Sequence, residues 1–244
     1  VYDELMDNTP YGQWCDNIVK VLGEYGIRDG LVLDMGCGTG SLTELLAAKG
    51  YDMIGVDYSE EMLNIAFQKR EKSGHDILYL NQDMREFELY GTVRAIVSIC
   101  DSINYLLEDE DVVTCFKLVN NYLDPKGIFF FDFNTNYKYE TVIGDRVIAE
   151  TRDDCSFIWE NFYDPEEMMN EYDLTVFVRE KKEEPDTFRR FQETHFQRGY
   201  TLEEMRGFIE EAGLVFLKAY DADTLEEVTP QSQRIYCVAQ ENMK

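Results

Sequence analysis

The chain predicts an α/β fold: a doubly wound, mostly parallel sheet with a small antiparallel β-meander inserted late in the chain. Three observations predict it. Between Leu31 and Phe133, short apolar runs alternate with helical segments, the rhythm of βαβ units. At the head of that stretch, LVLDMGCGTGSLTELL joins a buried strand to a helix through three alternating glycines. After Phe133 the rhythm changes to strand-like runs with no helix between them.

The elements follow in order. Residues 2–23 read as a helical lead-in, because Tyr11, Trp14, Ile18 and Val21-Leu22 recur at helical spacing after Pro10. Leu31-Val32-Leu33 is a buried strand that stops at Asp34. Gly36, Gly38 and Gly40 form the loop, and Ser41 opens a helix, with Glu44 placed to complete a capping box and Gly50 to stop it. Residues 52–56 are a second strand ending in Asp57; Ser59 caps a helix to about Arg70, with Glu60 and Glu61 in its first turn. Residues 77–80 are a third strand ending near Asp83, and residues 93–99 a fourth ending near Cys100-Asp101. Residues 109–123 read as a helix, broken by an Asp124-Pro125-Lys126-Gly127 turn before a fifth strand at 128–133. Right-handed crossovers then bring successive strand ends to one edge of the sheet.

The meander comprises runs at 146–153, 156–163, 172–179 and 188–196, separated by turns at Asp164-Pro165 and Glu183-Glu184-Pro185-Asp186. Thr201 caps a further helix, with Glu204 completing its capping box and Gly213 ending it; strands at 214–219 and 234–239 close the chain. The predicted organisation is one α/β domain from 1–137 and 200–244, with residues 138–199 inserted as an antiparallel lid.

Composition bounds the function. The 244 residues suffice for one sizeable domain with an insertion, and the 44% hydrophobic and 14% aromatic content supplies a full core. A formal charge of −26 repels phosphate backbones and anionic lipid, so nucleic-acid and membrane binding are not expected. The acidity either attracts a cationic or amine-bearing substrate or keeps the chain soluble; its even spread favours solubility. The six cysteines show no CxxC spacing and there are two histidines, so neither a disulfide framework nor a metal site is expected. With no secretory segment and no apolar run near about 18 residues, the expectation is a reduced, cytoplasmic protein. The sequence leaves a homodimer open.

The glycine loop carries the chemistry. Glycines let a loop turn sharply and let backbone approach a ligand, while the helix start beyond offers free N–H groups. The spacing is G-x-G-x-G, not the dinucleotide G-x-G-x-x-G: Ser41 stands where the last dinucleotide glycine falls. Ligands sit at the carboxyl ends of strands in such sheets. Asp57 there suits a pair of ribose hydroxyls, and Asp83 an exocyclic adenine amine. Tyr58 and Met84 adjoin these acids and are candidates to flank the adenine ring.

DMGCGTG, GVDYS and NQDM, in that order, resemble the motifs of the class I, Rossmann-like S-adenosylmethionine (SAM)-dependent methyltransferases of small-molecule type. CDSINYL and LDPKGIFFFDF look like that family's fourth and fifth strands. The resemblance covers residues 2–133 and 201–239; the inserted sheet resembles the family's small-molecule lids less specifically. It implies a seven-stranded sheet with an antiparallel last strand. It implies that Gly36, Gly38 and Gly40 wrap the methionine part of SAM, that Asp57 binds ribose and Asp83 adenine, and that Asp34 bonds the amino group, through water or directly. Cys100 would lie by the methionine end, and Tyr11 would line the cofactor site.

A sulfonium methyl is already activated, so transfer needs alignment and exclusion of water, worth about 7–11 kcal/mol. A base adds about 10²–10⁴-fold where the nucleophile must lose a proton. His195, in FQETHFQRGY, is the catalytic candidate; the competing reading is a sheet-face histidine making one hydrogen bond. His75 lies at the wrong edge and reads as solvated. Tyr2, Tyr11 and Trp14 form an aromatic cluster suited to a cation or to helix packing. Arg198 suits a substrate carboxylate or a pairing with an acid, while Phe157, Trp159, Tyr163 and Phe191 read as lid core. The expected function is SAM-dependent methyl transfer to N or O of a small molecule. The alternatives are a tRNA or protein acceptor, with the acidic balance against RNA and a local basic patch around Arg189, Arg190 and Arg198 leaving it open, and a SAM-binding protein without catalysis. A nicotinamide-dependent oxidoreductase is disfavoured by the glycine spacing.

Overall fold

The computed structural model describes residues 2–181, 184–242 and 244. In chain order the elements are α1 (Tyr2–Leu5), α2 (Tyr11–Glu24), β1 (Gly30–Met35), α3 (Ser41–Ala48), β2 (Tyr51–Asp57), α4 (Glu60–Ser73), β3 (Ile77–Asn81) and β4 (Val93–Ser98). A 3-10 turn (Ser102–Tyr105), α5 (Asp109–Tyr122), β5 (Leu123–Asn134) and a π-turn (Lys138–Ile143) follow. Strands β6 (Arg146–Thr151), β7 (Cys155–Asp164), β8 (Met169–Lys181) and β9 (Glu184–Arg198) precede α6 (Leu202–Glu211), β10 (Val215–Asp221) and β11 (Arg234–Gln240).

The main sheet has seven strands in the order β10-β11-β5-β4-β1-β2-β3. Strands β3, β2, β1, β4 and β5 run parallel, and β11 runs antiparallel to both β5 and β10. This is the architecture expected, with its antiparallel last strand. Helices cover both faces, so the central strands are mostly apolar: Phe129, Phe130, Phe131 and Phe133 of β5 are all fully buried. Phe116 of α5 packs edge-on against Phe129, which stacks on Phe131 at 4.5 Å.

Strands β6-β7-β8-β9 form a separate antiparallel sheet. Its register pairs Trp159 with Leu174 and Tyr172 with His195, so alternation puts all four on one face. Phe157 and Trp159 are half-buried and Tyr163 is buried, but Phe191 is 43% exposed, so that sheet end is not a closed core.

Several expectations are corrected. The lead-in is two helices, not one, because α1 ends before Pro10, which opens α2. The capping box at Ser41 does not form. Gly40, in the left-handed conformation, is the N-cap of α3, and Ser41 is already helical. Its hydroxyl instead receives Lys69 Nζ at 2.7 Å, and Glu44 pairs with His75 at 2.9 Å. His75 is therefore hydrogen-bonded to Glu44 rather than a merely solvated side chain. Residues 124–127 do not separate helix from strand. They belong to β5 as an irregularity, where the β4 register jumps and Lys126 turns left-handed. Of the turn expected over 183–186, Glu183 lies outside the described residues, and 184–186 belong to β9, an edge strand that tolerates Pro185.

The Thr201 capping box is present in full: Thr201 accepts from Glu204 N, and Glu204 accepts from Thr201 N at 2.8 Å. Thr201→Ala is expected to lower stability by about 0.5–2 kcal/mol, read from the denaturant midpoint at unchanged m.

Candidate functional site

The site lies where β1, β2, β3 and β4 end together. Gly36 N and Cys37 N donate to Val56 O at 2.8 and 3.0 Å, tying the glycine loop to the end of β2. At Gly36, with φ +77°, a Cβ would meet Ser102 Oγ at 2.6 Å; the 3-10 turn packs directly on the loop. Gly38 has φ +55° and nothing within 4 Å of its would-be Cβ, so it borders open space. Gly40 is different: its α-carbon packs toward Tyr79 of β3 and Ala66 of α4, a packing contact rather than a ligand approach.

Asp57 aims back at this loop. One carboxylate oxygen accepts Gly38 N–H at 2.7 Å, the other Ser59 N–H at 2.8 Å, and burial pushes its proton affinity up. Asn81 holds the Asp57 and Tyr58 carbonyls at 3.0 and 2.8 Å, which leaves the Tyr58 ring 79% exposed beside the acid. Asp83 is already bound on both oxygens by Arg85, at 3.0 Å from Nε and 2.6 Å from Nη2. That guanidinium holds the Asp83 carboxyl below the usual carboxylate range. Met84 is half-buried and its methyl lies beside Gly36.

Asp34 sits beneath the loop, 2% exposed, accepting from Thr43 Oγ1 at 2.6 Å. Burial pushes its pKa from 3.8 up to about 7. A carboxyl whose folded pKa is raised favours the folded state below its unfolded value, and that advantage is lost as pH rises to the folded value. Above pH 7 the charged form costs the fold up to about 4 kcal/mol. Asp34→Asn, which keeps an acceptor for Thr43, is expected to melt higher than the parent at pH 8. The gain should fade toward pH 4, as thermal melts across that range will read.

The end of β4 is strained. Cys100 and Asp101 are consecutive non-glycine residues with φ 64° and 54°, a conformation costing about 1–3 kcal/mol each. Asp132, fully buried on β5, restrains them by accepting Cys100 N–H at 3.2 Å and Asp101 N–H at 2.9 Å. Arg234 of β11 bonds Asp132 at 3.1 Å and Asp101 at 2.8 Å, and its guanidinium lies 5.2 Å from the Trp14 ring. Gln197 of β9 gives Asp101 a bond at 2.7 Å. Burial alone would raise Asp101, but Arg234 and Lys138 outweigh it and hold it below the usual range. Burial pushes the Cys100 thiol up to about 12, so it stays protonated. The sequence reading missed Asp132 and Arg234. Their signal was a lone acid inside the apolar run FFFDF and a lone base opening IYCVA.

The N-terminal segment crosses the same hollow. Asp3 accepts from Thr39 at 2.7 Å and pairs with Lys69 at 2.8 Å, which lays α1 over the glycine loop. The Tyr2 ring is 41% exposed, yet its hydroxyl end is desolvated near Cys100 and Tyr11, which raises its proton affinity. Tyr11 meets Trp14 edge-on at 5.4 Å, so these two members of the expected aromatic cluster pack together.

His195 has both ring nitrogens engaged: Nδ1 with the Tyr105 hydroxyl and Nε2 with Glu193, each at 3.2 Å. It stacks on Tyr172 at 4.8 Å, and Tyr172 on Trp159 at 4.3 Å. Arg198 pairs with Asp109 at 2.5 Å and Glu204 at 3.2 Å, so its acid-pairing reading holds. Strand alternation puts Arg189 and Arg190 on opposite faces of β9, which divides the expected basic patch. Among the described residues no group of three or more His, Cys, Asp or Glu could hold a metal ion, and no helix is long and apolar enough to cross a membrane.

Comparison with known proteins follows this geometry. A family profile described as "Methyltransferase domain" matches residues 32–127. The chain is 38% identical over 243 residues to "Putative methyltransferase YqeM" of Bacillus subtilis (strain 168), covering 99% of this chain and 95% of that protein. It superposes with TM-score 0.89 on an S-adenosylmethionine-dependent methyltransferase from Clostridium acetobutylicum ATCC 824, at 29% identity over 99% of this chain and 96% of that one. The fold is also that of the sugar N-methyltransferase KedS8 from Streptoalloteichus sp ATCC 53650, with TM-score 0.81 at 15% identity over 100% and 93% of the two chains.

Proposed function

Because this chain belongs to the class I SAM-dependent methyltransferases, we propose that it methylates a nitrogen or oxygen atom of a small-molecule acceptor held between the main sheet and residues 138–199. SAM is the cofactor, and when bound it supplies an electrophilic methyl group and keeps the sulfur–carbon electron pair as a neutral thioether. The residues present fit it: Gly38 borders open space, and Asp57 faces the same loop with a lone pair left on each oxygen.

The roles follow from position. Gly36 and Gly38 let the backbone lie against the methionine part, with Gly40 setting the start of α3 behind them. Asp57 takes the ribose hydroxyls. Tyr58 and Met84 flank the base, with Asp83 and its Arg85 partner at the adenine rim. Asp34 reaches the amino group through water, since its carboxyl is buried below the loop. Tyr11 and Cys100 border the reacting end, which the strained Cys100-Asp101 turn fixes.

The observation that carries the acceptor reading is the aromatic column Trp159–Tyr172–His195, which faces Tyr105 and the end of β4. Such a wall suits a compact molecule and excludes water. Calorimetry with S-adenosylhomocysteine, then methyl transfer from labelled SAM to small-molecule, tRNA and protein acceptor panels, tests it. Incorporation into small molecules is expected; incorporation only into tRNA or protein would overturn it.

A further inference from the structure

We propose that Tyr105 is the residue that takes the acceptor's proton, and that His195 and Glu193 act through it. The inference rests on the methyltransferase reading and replaces His195 as the group touching the acceptor.

With His195 as the neutral imidazole a base requires, the hydrogen bonds have one consistent direction. Glu193 is an acceptor at His195 Nε2, so Nε2 carries the ring proton. Nδ1 is then an acceptor, and the Tyr105 hydroxyl must donate to it. With its own proton committed, the Tyr105 oxygen accepts from the Tyr172 hydroxyl at 2.9 Å. A phenol oxygen has two lone pairs, and among the described residues only one is used. The other is unused; the residue as a whole is 43% exposed although its hydroxyl end is desolvated, and it stands on the turn whose Ser102 packs against Gly36, near Asp101 and Cys100. His195 has no such vacancy, because both nitrogens are occupied.

Burial pushes the Tyr105 hydroxyl up to about 12, so it stays protonated near neutrality and works as a relay rather than a standing phenolate. The step balances. The acceptor's N–H or O–H bond breaks, its electron pair stays on the nucleophile, and its proton goes to Tyr105 oxygen. The Tyr105 proton passes to His195 Nδ1, and the resulting imidazolium is stabilised by Glu193 until water takes the proton. The substrate class is therefore an acceptor whose nucleophile carries a proton to lose, an ammonium or a hydroxyl.

Two histidines in the chain make the test direct. Long-range proton–nitrogen correlation of the two imidazoles, with His75→Gln for assignment, should show His195 protonated on Nε2. In Tyr105→Phe the Nδ1 resonance should move toward that of a free imidazole nitrogen. A proton on Nδ1, or an unmoved resonance, overturns the relay. Methyl transfer to dopamine, tyramine and glucosamine gives the second readout. Tyr105→Phe should fall about 10²–10⁴-fold in kcat with unchanged affinity for S-adenosylhomocysteine, and His195→Gln should fall likewise. Equal rates overturn the proposal, and if none of the three probes is methylated the same comparison is made on whichever small molecule the acceptor panel labels. Absence of S-adenosylhomocysteine binding would instead sink the cofactor assignment, leaving the tautomer readable.

Discussion

Asp57→Ala is expected to weaken S-adenosylhomocysteine binding by about 10²-fold or more while the protein still folds. Two hydrogen bonds from ribose hydroxyls to a carboxylate contribute about 1.5–3 kcal/mol each, and each 1.4 kcal/mol is a factor of ten. The loss has a second source. Asp57 also accepts Gly38 N–H and Ser59 N–H, so the alanine variant releases the glycine loop in addition to losing the proposed ribose contact. Stability should change little, because the lost bonds are offset by removing a carboxylate that burial already disfavours. Asp57→Asn retains one carbonyl acceptor and should fall between the two. Calorimetry alongside a thermal melt separates the effects. Unchanged affinity in a folded alanine variant would remove Asp57 from the cofactor site.

What was legible in the sequence was local. The strand, glycine loop and helix at 31–46 are contiguous, and Asp57 ends its own strand, so pattern alone put them at one edge. The Ser41 capping box failed because a glycine able to take positive φ stands one position earlier and ends the loop first. Asp83 suits an adenine amine by its place after the third strand, yet Arg85, two residues on, already binds both its oxygens. The remaining features join positions far apart in the chain. His195 was found, but its partner Tyr105 lies 90 residues away, and a periodic pattern carries no information about such a pairing. The Arg234–Asp132 pair spans 102 residues and forms only because β11 inserts antiparallel beside β5.

That pair makes Arg234→Met the other large-effect substitution. Arg234 is the counter-charge for a fully buried carboxylate, Asp132, and for Asp101 beside it. Removing one partner of a buried ion pair costs about 3–5 kcal/mol, because the remaining charge is left without compensation. The deficit should depend on pH in a definite direction. Without the guanidinium, the Asp132 carboxyl, which burial already raises, rises further, and Asp101 loses the larger of the two charges that hold it down. Their charged forms then burden the fold at neutral pH, and the burden lifts as pH falls and the folded protein takes up protons. The variant should therefore lag the parent most near pH 8 and recover ground toward pH 5. Adding Asp132→Asn should restore part of the stability at pH 8 by removing the orphaned charge, though not all, since an amide cannot accept both Cys100 N–H and Asp101 N–H as the carboxylate does. Methyl transfer should stay low even in the restored double variant, because the strained turn at the reacting end has lost part of what restrains it. A deficit equal at pH 5 and pH 8 would mean that Arg234 supports the fold through packing on Trp14 rather than through charge.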